Sequence, residues 1–249
     1  MSDDDTSSLP LTRSDAAIGP GSTVVPMATP QTSRKSGERR GTRRMRAPDR
    51  REQLLDIACL LIVERSFHGV SVEAIAQRAG LTRAAVYKHF RDLHELLEAV
   101  IDREMNRALW QVSETTPVDL SAGAPVDVMI NGFTAFLEAV QEHPARWKLV
   151  LMPPEGAPAT LQERIAAGRA IIIDRLTGAV RPALAQDPEY PDPELTARML
   201  SAVSDEYARL LLIDPVRYAP DRLVVHARWF ARHLLGSATP GPPPAVTGP

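Results

Sequence analysis

The residues with the clearest chemistry in this sequence lie at positions 82–89, T-R-A-A-V-Y-K-H. On a helix at about 100° per residue, one sector of roughly 140° holds Arg83, Ala84, Tyr87 and Lys88. An arginine can donate two hydrogen bonds to guanine, and a lysine can reach phosphates or base edges from the major groove of DNA. The pattern therefore favours a short helix whose polar face contacts nucleic acid.

The residues around this segment predict two short helices joined by a tight turn. In the first helix, Val72, Ile75, Ala76 and Ala79 follow the i, i+3, i+4, i+7 spacing of an apolar face. Ser71 and Thr82 stand where N-caps belong, and Gly80 can end the first helix in a left-handed conformation. In the second helix Val86 and Phe90 fall on the side opposite the polar sector. This is the arrangement of a helix-turn-helix.

The residues 71–100, with the preceding segment RREQLLDIACLLIVERSFHGV, resemble the DNA-binding domain of TetR-type transcriptional regulators. The core A-x-x-A-G-(V/L)-(S/T)-x-x-x-(V/L)-Y-x-H-F is present as Ala76, Ala79, Gly80, Leu81, Thr82, Val86, Tyr87, His89 and Phe90. The resemblance runs without a gap from about residue 48 to residue 100, which is about a fifth of the chain.

Eight residues are predicted to contact DNA: Ser71, Val72, Thr82, Arg83, Ala84, Tyr87, Lys88 and His89. Thr82 and Arg83 are expected at base edges or adjacent phosphates, and Ala84 permits close approach to the groove floor. Tyr87 and Lys88 are assigned to phosphate, as are the backbone N–H groups at Ser71 and Val72. His89 falls on the packed side of its helix, which suits a core imidazole or one that reaches phosphate.

Length and charge fit a DNA-binding end on an acidic body. The 249 residues suit one or two domains, with 44% apolar and 24% charged residues and a net charge of −2. Segment 34–46 carries seven basic residues against one glutamate, a net charge of +6, so the remainder carries −8. This segment is either a solvated tail or an arm along the phosphate backbone or the minor groove.

The chain has one cysteine, Cys59, which lies in an apolar stripe and is expected to be a packed residue rather than a reactive thiol. One cysteine permits no intramolecular disulfide and fits a reducing compartment. No apolar run reaches the length of a membrane span, and the first 45 residues lack the apolar region of a signal peptide. A cytoplasmic location is expected.

The sequence predicts an all-α protein, with no strand alternation and no internal repeat. Four regions are expected: a disordered arm at 1–45, the helix-turn-helix domain at 46–100, a helical ligand-binding and dimerisation domain at 101–236, and a disordered tail at 237–249. Apolar periodicity and prolines predict helices at 48–67, 92–113, 126–142, 144–152, 161–184, 193–213 and 221–235, with loops at 115–125 and 187–193.

The resemblance implies that the body binds a ligand within 126–184 and dimerises within 193–235. Candidate ligand-binding residues are Phe133, Phe136, Leu137, Trp147, Leu151, Met152 and Tyr207. The alternative for each is an ordinary core position, and for Tyr207 a place in solvent. Candidate dimer-interface residues are Val203, Leu210, Val225, Trp229 and His233. A tryptophan in the monomer core is the alternative for Trp229.

The predicted function is that of a homodimeric, sequence-specific transcriptional regulator. It is expected to be a repressor that leaves a palindromic DNA operator when a small apolar ligand binds. The six histidines lack metal-ligand spacing, and no phosphate-binding loop or nucleophile motif is present, so neither a metal, a cofactor nor an enzyme activity is expected. The alternatives are a ligand-independent DNA-binding regulator and an all-α enzyme with an appended DNA-binding head.

Overall fold

The computed structural model describes residues 46–185 and 192–235, which form nine α-helices and contain no strand. The helices are α1 (Ala47–Arg65), α2 (Val72–Ala79), α3 (Arg83–Val86), α4 (Leu93–Thr115), α5 (Pro125–Glu142), α6 (Pro144–Leu151), α7 (Ala159–Leu184), α8 (Pro193–Ile213) and α9 (Pro220–Leu235). The all-α prediction is confirmed for this part of the chain. The arm predicted at 1–45, the tail at 237–249 and most of the loop at 187–193 lie outside the described residues.

Side-chain caps set the helix starts around the first domain. Ser71 Oγ accepts a 3.1 Å hydrogen bond from the Ala74 N–H, and Asp92 Oδ1 accepts one of 2.8 Å from the Glu95 N–H. The Glu95 hydrogen bond, followed by one from Arg91, holds the pKa of the Asp92 carboxyl below its usual value. The Glu95 carboxylate accepts a 2.8 Å hydrogen bond from the Arg91 N–H. In a capping box it would accept from the N–H of the cap residue, which is Asp92 here.

The head (α1, α2, α3 and the first half of α4) surrounds one apolar core. Its fully buried members include Leu54, Ile62, Ile75, Phe90 and Leu96. The same core also includes Leu149 of α6 and Leu161 of α7, which belong to the body. The domain boundary predicted at residue 100 falls inside α4, which runs on to Thr115.

The body packs α5, α6, α8 and α9 around a second core that includes Leu137, Val140 and Leu211. The segment at 115–125 is more ordered than the loop predicted there. It contains a 3-10 turn, Leu120–Ala122, and Leu120 is buried against Val180 and Leu184 of α7. This turn therefore anchors the connection between α4 and α5 to the body.

Candidate nucleic-acid interface and ligand cavity

The turn between α2 and α3 directs the polar face of α3 away from the core. Gly80 has φ of +65°, which lets α2 end abruptly, and the Leu81 N–H donates to the Ala76 oxygen at 2.8 Å. Thr82 then caps α3, since its Oγ1 accepts from the Ala85 N–H at 3.3 Å. Val86 and Phe90 are buried beneath α3. The polar residues of α3 therefore stand on a fixed support.

The α-helical part of α3 covers only Arg83–Val86, so it is shorter than the sequence predicts. Residues 87–89 continue it as a tighter turn, in which the His89 N–H donates to the Val86 oxygen at 2.9 Å. Phe90 enters the core directly after this turn, and the Arg51 guanidinium lies 4.6 Å from the centre of its ring.

Six of the eight predicted DNA-contacting residues are exposed: Ser71, Thr82, Arg83, Ala84, Tyr87 and Lys88. His89 is half-buried and Val72 is buried, so Val72 offers its backbone N–H rather than its side chain. The Arg83 guanidinium lies 3.5 Å from the Glu73 carboxylate, and both side chains are more than half exposed. An ion pair this exposed is weak, so a phosphate or a base can displace Glu73.

A cavity of about 330 Å³ lies in the body between α4, α5, α6, α7 and α8. It falls within the roughly 300–1,000 Å³ that small-molecule sites occupy. Most of its wall is apolar, with Met105, Leu109 and Val112 from α4, Phe133 and Phe136 from α5, Trp147 and Leu151 from α6, Ile165 and Ile172 from α7, and Leu200 from α8. Polar groups reach it from Asn106, Arg164, Arg169, Ser201, Ser204 and Asp205, among others.

The predicted ligand-binding residues divide into two groups. Phe133, Phe136, Trp147 and Leu151 line the cavity. Leu137 is fully buried in the second core instead, and Met152 is exposed after the end of α6. The Tyr207 hydroxyl lies 2.6 Å from His226 Nδ1 of α9, outside the cavity lining.

Large apolar side chains are exposed on both α8 and α9. Trp229 is 56% exposed and therefore lies outside the monomer core, Val225 of the same helix is also exposed, and α8 exposes Leu195, Met199 and Ile213. The ring of His233 lies 4.4 Å from that of Trp229, and His233 Nδ1 lies 2.8 Å from the Trp229 carbonyl oxygen. Val203 and Leu210, also predicted for the interface, are half-buried.

The structure also describes the cysteine, the possible metal ligands and the helix lengths. Burial raises the pKa of the Cys59 thiol to about 12, so this cysteine is a packed core residue. Within residues 46–185 and 192–235, no group of three or more His, Cys, Asp or Glu side chains is arranged to hold a metal ion. None of the described helices combines the length and apolar character that crossing a membrane requires.

The head matches a known protein family. Residues 54–100 fit the family described as bacterial regulatory proteins, tetR family. The match covers the head of the chain, so the head is similar to the DNA-binding part of that family. A TetR-like transcriptional regulator from Rhodococcus sp. RHA1 has the same fold, with a TM-score of 0.62 over 78% of this chain and 100% of that one, at 22% identity.

Two further proteins that this chain resembles carry functional descriptions. The HTH-type transcriptional activator FasR of Mycolicibacterium smegmatis is 31% identical over 102 residues, which are 41% of this chain and 46% of FasR. This match spans less than half the length of FasR. SmeT, the repressor of the Stenotrophomonas maltophilia multidrug efflux pump SmeDEF, is 27% identical, with a TM-score of 0.53 over 74% of this chain and 89% of SmeT. SmeT is also known as a complex with triclosan.

The predicted ligand-binding residues include none from α4, and the one from α8, Tyr207, lies outside the cavity lining. A signal existed for α4, because Leu109 and Val112 continue its apolar spacing beyond Met105, the last α4 residue of the head core. For α8 the sequence offered no equivalent signal. The sequence shows that Asp205 and Tyr207 interrupt an apolar helix. It does not show which of the two side chains faces the cavity.

Proposed function

We propose that this protein is a homodimeric, sequence-specific DNA-binding regulator whose hold on a palindromic operator is weakened by a small ligand in the body cavity. The observation that carries the proposal is the exposed polar face of α3 on a head that shares its core with the cavity wall. No catalytic reaction is proposed.

The head supplies the DNA contacts. Arg83 is assigned to base edges, and Lys88 and Tyr87 to phosphates, because all three are exposed on the same side of a supported turn. The free N–H groups at the start of α2 add a phosphate contact, as helix N-termini do. The fixed positions of Val86 and Phe90 allow α3 to enter the major groove as a rigid unit.

The exposed face of α8 and α9 supplies the dimer interface. Trp229 and Val225 are large apolar side chains in solvent, and a second copy can cover them in a symmetric contact. A twofold dimer presents two α3 helices to half-sites that are about one helical turn of DNA apart or slightly more. This geometry is the reason to expect a palindromic operator.

The helices α4 and α6 connect the cavity with the head. On α4, Val100 and Ile101 belong to the head core, and Met105 and Leu109 line the cavity. On α6, Leu149 belongs to the head core, and Trp147 and Leu151 line the cavity. A ligand that binds one position of these helices more tightly than another shifts the protein toward that position and changes the spacing of the two heads. The difference between the ligand's affinities for the two positions limits the size of this shift.

Repression is the first candidate for the direction of regulation, and activation is the second. SmeT, which shares the fold along most of this chain, is a repressor, and its complex with triclosan supports an apolar ligand. FasR, which matches over a shorter segment, is an activator. Both candidates share the same DNA contacts and the same cavity.

The test is footprinting of the full chain on genomic fragments, with and without triclosan, followed by transcription in vitro from the protected promoter. We expect protection of a palindrome, weaker protection with triclosan, and fewer transcripts when the protein is bound. More transcripts on binding would establish the activator instead. Protection without any sequence preference would contradict the proposal.

A further inference from the structure

Asp205 brings a carboxylate to the wall of an otherwise mainly apolar cavity. It lies in the middle of α8, and its side chain is 15% exposed. Its Oδ2 atom lies 2.7 Å from Arg169 Nη2 of α7 and 4.0 Å from Arg209 Nη2 of its own helix. One close cation therefore faces this carboxylate within the described residues.

The two arginines balance the charge of Asp205 only in part. Arg169 is 43% exposed, so much of its charge is solvated. Arg209 is committed elsewhere, because its Nε donates to the Leu151 oxygen at 3.1 Å and its Nη1 to the Glu206 carboxylate at 3.1 Å. Burial raises the pKa of the Asp205 carboxyl, against the lowering effect of both arginines. A further donor or cation in the cavity would stabilise the ionised form.

We propose that Asp205 is the polar anchor of the ligand, and that the ligand is a small apolar molecule with a hydrogen-bond donor, best a protonated amine. This inference rests on the cavity being the ligand site of the proposed function. The amine N–H donates to the Asp205 carboxylate, and the apolar part lies against Phe133, Phe136 and Trp147. No covalent step is involved.

The charges around the cavity disfavour an anionic ligand. The two arginines that line it already face carboxylates, Arg164 with Asp102 and Arg169 with Asp205. An anionic headgroup would have to break one of these ion pairs and, beside Arg169, would lie next to the Asp205 charge. The hydroxyls of Ser201 and Ser204 can accept or donate, so they serve an amine as well as an alcohol.

The experiment compares three probes that share one chain: octylamine, octanol and octanoate. Their effect on the melting temperature of the full protein at neutral pH gives three apparent affinities. We expect octylamine to bind best and octanoate worst. Asp205→Asn should weaken octylamine binding by about tenfold or more and leave octanol binding unchanged, which also shows that the variant is folded. Arg169→Gln should strengthen octylamine binding, because it removes the competing cation.

Glu194→Gln is the matched control, because it removes a carboxylate from the same helix at a side chain that is 59% exposed, pairs with Arg198 and lies outside the cavity lining. It should leave all three affinities unchanged. Octanoate binding as tight as octylamine binding, or an amine preference that survives in Asp205→Asn, would overturn the inference. So would the absence of any probe binding in a protein that still protects an operator. Amine-selective binding without operator protection would instead reject the proposed function and leave this inference standing.

Discussion

Arg146 Nε donates a 2.7 Å hydrogen bond to Glu104 Oε2, and the two side chains are only 8% and 4% exposed. This pair joins α6 to α4 inside the protein. The other Glu104 oxygen accepts from Arg103 Nε at 2.8 Å, and Arg103 Nη1 reaches the Glu52 carboxylate of α1 at 2.8 Å. A continuous chain of polar contacts therefore runs from α1 of the head through α4 to α6, one of the helices that line the cavity.

Loss of the Glu104 charge should destabilise the protein strongly. Glu104→Gln leaves the buried Arg146 without its carboxylate, and removal of one member of a buried pair costs about 3–5 kcal/mol. Urea denaturation of the full chain measures this as a lower midpoint at an unchanged slope.

The matched control is Glu64→Gln, which breaks a pair of similar length on the surface. Arg78 Nη1 lies 2.6 Å from Glu64 Oε2, and both side chains are about two-fifths exposed. The midpoint of this variant should hardly move, because exposed ion pairs contribute little to stability. Equal losses in the two variants would show that Glu104 is no more important than a surface charge.

Much of the helical framework could be predicted from the sequence, because prolines and apolar spacing mark the helix ends. The predicted helix at 193–213 matches Pro193–Ile213, and the predicted start at residue 144 is the start of α6. The length of α3 could not be predicted in this way. Its last turn tightens where Phe90 enters the head core, and that contact is tertiary.

Asp205 illustrates what the sequence cannot decide about the cavity lining. Asp205 and Tyr207 are two positions apart on α8, so their side chains point about 200° apart. Either could face the ligand if α8 were considered alone. Because His226 of α9 lies beside the Tyr207 hydroxyl, Tyr207 is turned toward α9, and Asp205 is the one of the two that lines the cavity.

Arg83 and Lys88 should affect DNA binding in different ways. If the guanidinium reads base edges, as proposed, Arg83→Ala should weaken binding unevenly across operator variants. If the ammonium neutralises one phosphate, as proposed, Lys88→Ala should weaken binding uniformly and reduce the salt slope by about 1. Binding titrations at several salt concentrations measure both effects. Arg181→Ala, which removes an exposed charge from α7, is the control for net charge. A wild-type salt slope in Lys88→Ala would rule out its phosphate contact.

Gly168 and Gly178 offer a matched pair of cavity and control positions on α7. A Cβ atom at either position would meet no atom within 4 Å beyond its chain neighbours and the nearby backbone of its own helix, but only Gly168 lines the cavity. Leucine at either position should stabilise the helix by up to about 1 kcal/mol relative to glycine. Gly168→Leu should also fill the cavity and abolish the effect of triclosan on operator binding. Gly178→Leu should leave that effect intact. A full triclosan response in a folded Gly168→Leu protein would place the ligand elsewhere.

Trp229 should be the residue on which dimerisation depends most. It is a large aromatic side chain on α9 that is 56% exposed, and aromatic side chains of this kind often contribute about 2 kcal/mol or more to an interface. Trp229→Lys should therefore shift the protein to monomers in sedimentation velocity, and operator binding should weaken because the two half-sites are no longer bound together. Trp110→Lys is the control, since Trp110 is a similarly exposed tryptophan, at 64%, on α4, which is not part of the proposed interface. It should leave the dimer intact. A dimer that survives in Trp229→Lys but dissociates in Trp110→Lys would move the interface to α4.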